Sequence, residues 1–352
     1  MQRHKIALTV FLGLGLMLAS SAAMAQYQLT NLSSNQLKWA NHTDPLLVNA
    51  WGLARSGGSP WWLSDNNSGW STLYDGKGDA QGLRVVIPTA GNGPDLTTGG
   101  NGPGTPTGIV WNGSSDFQVQ GWETKFLFAT LDGTISGWAP AGNFNQALLA
   151  VDTSKNASPA VYTGLAITSR ASGNFLYAAD NKNGQVDVYD GSFNLVTSFT
   201  DSTLTGFAPF GVQDLGGLVY VMFASVTGGN GGYVEVFEED GTPVSPGKPL
   251  ISGAPLNQPW GIAWSPTNFG PLSNALLVSN NTNRGTINAF NPGNGKFIGE
   301  VKDVNGKPIT IDQLWGIAFG GGSASNGAAN QLFFTAGPGN NLAGTFGVIS
   351  FK

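Results

Sequence analysis

Beyond residue 25 the apolar residues of this chain fall in short runs separated by turns, not in the three-to-four spacing of an amphipathic helix. One run recurs. Trp-Gly-Leu/Ile-Ala stands at Trp51–Ala54, Trp260–Ala263 and Trp315–Ala318, with looser copies at Thr107–Val110, Thr163–Ala166 and Phe210–Gln213. The six glycines are Gly52, Gly108, Gly164, Gly211, Gly261 and Gly316, spaced 56, 56, 47, 50 and 55 residues apart. Each is followed by a second apolar run: Trp61–Leu63, Phe126–Phe128, Phe175–Tyr177, Val219–Val221, Leu276–Val278 and Leu332–Phe334. After a turn, most units show a third segment that alternates apolar and polar residues, as in Gly133–Trp138, Gly184–Asp190, Tyr233–Phe237 and Gly285–Phe290. Asp75-Gly76, Asp190-Gly191 and Asp240-Gly241 supply turn chemistry behind them. A weaker fourth strand, such as Leu195–Thr200, leads to the next unit.

Six units of about 50 residues with four short strands each predict an all-β, six-bladed β-propeller filling residues 26–352 as one domain. The last unit supplies only three strands, Trp315–Phe319, Leu332–Thr335 and Thr345–Phe351, while Tyr27–Leu32 is a spare strand at the other end. Pairing the two closes the ring and removes a raw sheet edge. The alternative is a β-sandwich followed by a second β domain, but the repeat runs through the chain without a break. Gly91–Pro106 looks like a linker; because it lies within the repeat, it is read as a loop between blades one and two.

Composition agrees with many turns and no long helices: 52 Gly and 19 Pro among 352 residues. Residues 1–25 differ from the rest. Arg3 and Lys5 precede the largely apolar stretch Ile6–Leu18, and Ala23-Met24-Ala25 has the form of a cleavage site. This predicts a signal peptide and an exported protein, periplasmic or secreted, with no membrane insertion. Without Arg3 and Lys5 the 16 basic residues fall to 14 against 21 acidic ones, a net charge of −7, which argues against nucleic acid as a partner. The chain has no Cys, which excludes thiolate nucleophiles and thiolate metal sites. Of its two His, His4 lies in the predicted signal peptide, so His42 alone excludes any multi-histidine site. No G-x-S-x-G elbow and no P-loop is present.

Several stretches carry a family resemblance: His42-Thr-Asp-Pro45, Val48–Ala54, Thr72–Gly76, Asp132–Trp138, Gly206–Phe210, Pro259–Ala263, Asn274–Val278 and Leu314–Phe319. In combination they resemble a family of exported bacterial propellers of NHL-like type, some members of which carry a PEP-CTERM sorting tail. This chain reaches Lys352 without that tail, so the resemblance gives no expectation of surface anchoring. It implies a propeller fold and export. It implies no reaction and transfers no catalytic residue.

Propeller topology places the starts of the inner strands and the turns after the second strands on one rim. There it gathers His42, Asp44 and Asn49 before blade one, together with Asp65-Asn66-Asn67, Asp132, Asp180-Asn181, Asn280-Asn281 and Asp312, with Lys182 and Arg284 nearby. Three candidate chemistries follow. Asp65, Asp180 and Asn280 are oxygen donors of the type that suits a hard cation such as Ca²⁺, although Asp and Asn are also ordinary turn-makers. His42 and Asp44, two apart on an extended segment, form a candidate general base and its orienting carboxylate. Trp51, Trp260 and Trp315, with Arg284, are candidate ligand-binding residues at the channel mouth, although they also repeat in register with the fold, as packing residues do. The favoured function is a non-catalytic, monomeric propeller that binds a small molecule, glycan or extracellular protein on its rim. The alternative is a Ca²⁺-assisted hydrolase or lyase of the lactonase kind.

Overall fold

The computed structural model describes residues 27–91, 103–170 and 173–352. The predicted signal peptide and most of the Gly/Pro-rich loop lie outside the described residues. The chain folds as six antiparallel sheets around a central channel. From axis to periphery, blade one is Ala50–Ala54, Trp61–Asp65, Trp70–Tyr74 and Ala80–Val86. Blade two is Pro106–Trp111, Phe126–Thr130, Thr134–Trp138 and Leu148–Asp152. Blade three is Tyr162–Arg170, Gly173–Asp180, Gln185–Asp190 and Leu195–Phe199, and blade four is Phe207–Leu215, Leu218–Ser225, Tyr233–Phe237 and Ile251–Ser252. Blade five is Pro259–Trp264, Leu276–Asn280, Ile287–Phe290 and Phe297–Glu300. Blade six is Leu314–Phe319, Gln331–Ala336 and Thr345–Phe351, completed by Tyr27–Ser34. The six-bladed reading of the sequence therefore holds. Among the described residues no helix is long and apolar enough to cross a membrane.

Closure is by antiparallel pairing of the first strand with the last, from Tyr27 opposite Phe351 to Ser34 opposite Thr345. The buried Tyr27 hydroxyl also donates to the Phe269 carbonyl of blade five at 2.6 Å, and its ring packs on Phe269 and Phe351. A short segment that the sequence pattern did not suggest, His42–Thr43, runs parallel outside the closing strand.

The apolar core is divided among the gaps between blades. Alternating residues of each strand face opposite neighbours, so Ile109 packs toward blade one while Val110 packs toward blade three. The six repeated glycines explain how the inner strands approach so closely. A Cβ on Gly211 would lie 2.0 Å from the Trp260 carbonyl oxygen, and one on Gly108 2.2 Å from the Leu165 nitrogen. On Gly52, Gly261 and Gly316 it would meet the carbonyl oxygens of Thr107, Trp315 and Trp51 at 2.5, 2.7 and 2.9 Å. Each glycine thus faces the backbone of the next blade, so the repeat is dictated by backbone-to-backbone contact around the ring.

A second repeated device joins the strands at one rim. The amide after each second strand donates to the carbonyl just before the inner strand: Asn66 to Asn49, Leu131 to Thr105, Asn181 to Val161, Val226 to Gly206, Asn281 to Gln258 and Gly337 to Gln313. The turn residues predicted to share a rim therefore do share one.

Candidate functional site

At that rim the channel is closed by aromatic side chains. Trp51 and Trp315 stack with ring centres 3.6 Å apart and planes at 17°. Trp260 stands edge-on to both, at 6.3 and 5.8 Å. Leu131 and Phe210 pack against the trio. The three tryptophans come from the neighbouring blades five, six and one, and their delivery has a common cause. The residue two before each Trp, Asn49, Gln258 or Gln313, is left-handed, with φ of 52°, 51° and 50°. Pairing with the second strand then slips across the Trp-Gly step in all three blades, a bulge that turns the indole toward the axis. Hydroxyls fill the gap. Ser279 Oγ accepts from Gly261 N at 2.8 Å and donates to the Trp315 carbonyl at 2.7 Å; Thr335 Oγ1 accepts from Gly316 N and donates to the Trp51 carbonyl. Trp315 Nε1 donates to Asn49 Oδ1 at 3.1 Å, and Trp260 Nε1 reaches across to the Thr163 carbonyl at 2.9 Å. Trp51 Nε1 is buried without a partner. The sequence offered these tryptophans either as ligand-binding residues at the channel mouth or, the favoured reading, as packing residues in register with the fold; the structure buries them together in a plug, as packing residues.

The other rim residues are occupied locally. Asp65 Oδ2 accepts from Thr72 N and Oγ1 at 3.1 and 2.6 Å, while its Oδ1 is buried with no partner. Burial drives the Asp65 carboxyl well above the usual range, with the nearby Asp44 charge adding to the rise and the Thr72 bonds opposing it. Asp180 Oδ1 accepts from Val161 N and Asn183 N. Asn280 accepts from Asn257 N at 3.0 Å and donates to the Pro255 carbonyl at 2.8 Å. These three sit on blades one, three and five, and among the described residues no group of three His, Asp or Glu converges on one point. Their neighbours Asn66, Asn181 and Asn281 each donate to a carbonyl of the next blade, that of Pro106, Pro209 and Leu314. The Asp/Asn pairs thus cap turns and staple blades.

His42 and Asp44 take separate partners. His42 Nδ1 lies 3.5 Å from Asp79 Oδ1 on the exposed edge of blade one. Asp44 is buried and accepts from Leu46 N at 3.0 Å and the Tyr74 hydroxyl at 3.2 Å, with Arg84 Nη2 at 3.6 Å. Arg284 lies in an exposed turn of blade five, and Lys182 Nζ donates to the Pro159 carbonyl.

The opening of the channel lies at the opposite end. There the inner strands diverge into a funnel of about 460 Å³ whose inner end abuts Trp260 of the plug. Read as a column across the repeat, the residue after each glycine is aliphatic: Leu53, Ile109, Leu165, Val212, Ile262 and Ile317, all on the wall. The residue three after each glycine forms the mouth: Arg55, Trp111, Ile167, Asp214, Trp264 and Phe319. The Arg55 guanidinium donates to the Phe319 carbonyl at 3.0 and 2.8 Å and sits 5.4 Å from the Trp61 ring centre. Partial burial lowers its pKa below the ordinary value. The sequence reading placed function at the plugged rim and missed this mouth. The signal that finds it is the same column carried three residues past the glycine.

Away from the channel one acid pair stands out. Glu235, buried in the third strand of blade four, is pushed from the ordinary 4.5 up to about 7 by burial, by the adjacent Asp201 charge and by their hydrogen bond. Asp201 lies in the loop entering blade four. Its carboxyl is held below the usual range because bonds from Thr203 and Glu235 outweigh burial.

No protein-family profile matches the chain. It is similar to two proteins of Acanthamoeba polyphaga mimivirus. Uncharacterized protein R648 is 29% identical over 93% of this chain and 81% of the viral one; uncharacterized protein R640 is 32% identical over 55% and 38%. These relatives are viral, whereas the sequence resemblance pointed to bacteria. Among solved structures the chain is similar to a glucose dehydrogenase, at TM-score 0.56 and 10% identity over 92% of this chain and 98% of that one. It is also similar to virginiamycin B lyase from Staphylococcus aureus, at TM-score 0.54 and 13% identity over 93% and 99%. At such identities the likeness is one of fold alone, a β-propeller.

Proposed function

We propose that this chain is an exported, non-catalytic binding propeller that takes its ligand in the funnel at the open end of the channel. The observation that carries this is the shape of the channel, closed by three tryptophans at one end and widening to about 460 Å³ at the other. That volume falls within the roughly 300–1,000 Å³ of small-molecule sites. Among the described residues, Arg55, Gln213 and Asp214 are the only charged or amide side chains of its lining, and the Arg55 guanidinium donates to backbone carbonyls. A wall of this kind holds a ligand but supplies no acid–base set. The propeller neighbours include enzymes, so the fold is neutral on this point. Export rests on the Arg3/Lys5, apolar and Ala23–Ala25 segments of the sequence.

The test fills the funnel. Gln213 is exposed on the lining, so Gln213→Trp adds bulk there with little effect on the core. A thermal-shift screen against metabolites and oligosaccharides is expected to find stabilising compounds for the wild type that the Gln213→Trp protein no longer binds. A Ca²⁺-dependent lactone hydrolysis, abolished by Asp65→Asn and indifferent to Gln213→Trp, would overturn the proposal in favour of the metal-assisted enzyme.

A further inference from the structure

Resting on the funnel as the binding site, we infer that its ligand is a neutral carbohydrate whose rings lie against Trp111 and Trp264. These residues occupy the same place in the repeat, three after Gly108 and Gly261, at the ends of the inner strands of blades two and five. In a ring of six, those blades are diametrically opposed, so the two indoles stand on opposite sides of the mouth. Both are well exposed, 43% and 47%, in contrast to the buried tryptophans of the plug. Each is braced from behind by a glycine. A Cβ on Gly113 would fall 2.7 Å from Trp111 Cη2, and one on Gly216 would fall 3.4 Å from Trp264 Cζ3. A large aromatic held against backbone and bare to solvent is a stacking platform.

The rest of the wall selects among ligands that stack. In each sheet the innermost strand pairs on its outer side alone, so its other edge presents peptide N–H and C=O groups to the axis. An entirely apolar ligand would strip water from these groups and return no hydrogen bond, a desolvation cost borne by each group left unpaired. A strongly charged ligand meets Arg55, three of whose donors already bond backbone carbonyls, and Asp214 on the opposite blade, one charge of each sign among the described lining residues. A neutral sugar satisfies both demands: its C–H face lies on an indole, and its hydroxyls both donate to and accept from peptide edges.

The experiment is a neutral-glycan array followed by calorimetric titration of the tightest oligosaccharide found. Trp111→Ala and Trp264→Ala are each expected to weaken it about tenfold, and Trp264→Phe to restore most of the loss. Trp122 is an exposed tryptophan outside the funnel lining, and Trp122→Ala is expected to leave binding unchanged. The inference is overturned if the wild type binds no neutral glycan, or if glycan binding survives the Trp111→Ala/Trp264→Ala double variant. If 1-anilinonaphthalene-8-sulfonate binds, is lost in the double variant and no glycan binds, the funnel stands as a site and the carbohydrate assignment falls.

Discussion

The two ends of the channel are built from the same repeated column, yet they behave as opposites. At one end Trp51, Trp260 and Trp315, each immediately before a glycine, stack into a plug. At the other, Trp111 and Trp264, each three residues after a glycine, stand at an open mouth. Residue type does not distinguish the two groups. What separates them is distance along the strand from the point where the blades touch most closely. Immediately before the glycine, where the backbones of adjacent blades touch, the indoles pack on one another and are buried. Three residues past it the side chains line the cavity, and an indole is left facing water.

Removing the closing strand breaks this comparison outright, because both ends depend on an intact ring. Deleting residues 26–33 removes nearly all the outer-side partners of Thr345–Phe351, leaving only its pairing with Gln331–Ala336, and also the Tyr27 anchor into blade five, and is expected to abolish the cooperative transition in a calorimetric scan. A truncated chain that melted at the wild-type temperature would refute closure by this strand. Next in size, Trp315→Ala empties the centre of the plug and is expected to cost about 3–5 kcal/mol in denaturant unfolding. A loss near zero would show that the trio is not structural.

The third prediction concerns the acid pair on blade four. Glu235 keeps its proton in the fold up to about pH 7, whereas in the unfolded chain it releases it near the ordinary 4.5. The native state therefore binds more protons between those values, and stability falls as pH rises through them, then levels off. The loss is on the order of 3 kcal/mol. Glu235→Gln is expected to flatten this slope between pH 5 and 8, and an unchanged slope would assign it to other groups. Smallest is Trp264→Ala at the open mouth, expected to change stability by less than about 0.5 kcal/mol. A cost comparable to that of Trp315→Ala would erase the distinction between the ends.

Much of the fold was legible because the repeat is enforced by contact. Gly211 or Gly108 cannot become another residue without backbone moving, so the glycines mark the units plainly, and Tyr27–Leu32 fits the one vacant strand position. The two-residue strand at His42–Thr43 was not legible, since two residues carry no periodicity. At the site, the rim shared by Asp65, Asp180 and Asn280 was read correctly as a shared rim, but side-chain direction was not. Whether an Asp faces the axis or its own turn depends on local bonds such as Asp65 to Thr72. The packing role of the three tryptophans was legible from their register; their convergence on the axis was not, because it depends on left-handed Asn49, Gln258 and Gln313 and on the bulges that follow, features set by backbone angles and not by hydrophobic pattern.

Closure by Tyr27–Ser34 also fixes an order of events. The first strand synthesised finds its partner only when Thr345–Phe351, the last, has been made. Until then blade six lacks its outer strand, and the growing chain carries an unpaired edge through five completed blades. A contact between such distant parts of the chain makes the final step slow relative to the formation of each blade. The circle becomes a single cooperative unit only at that step, so commitment to the native state waits for the whole chain.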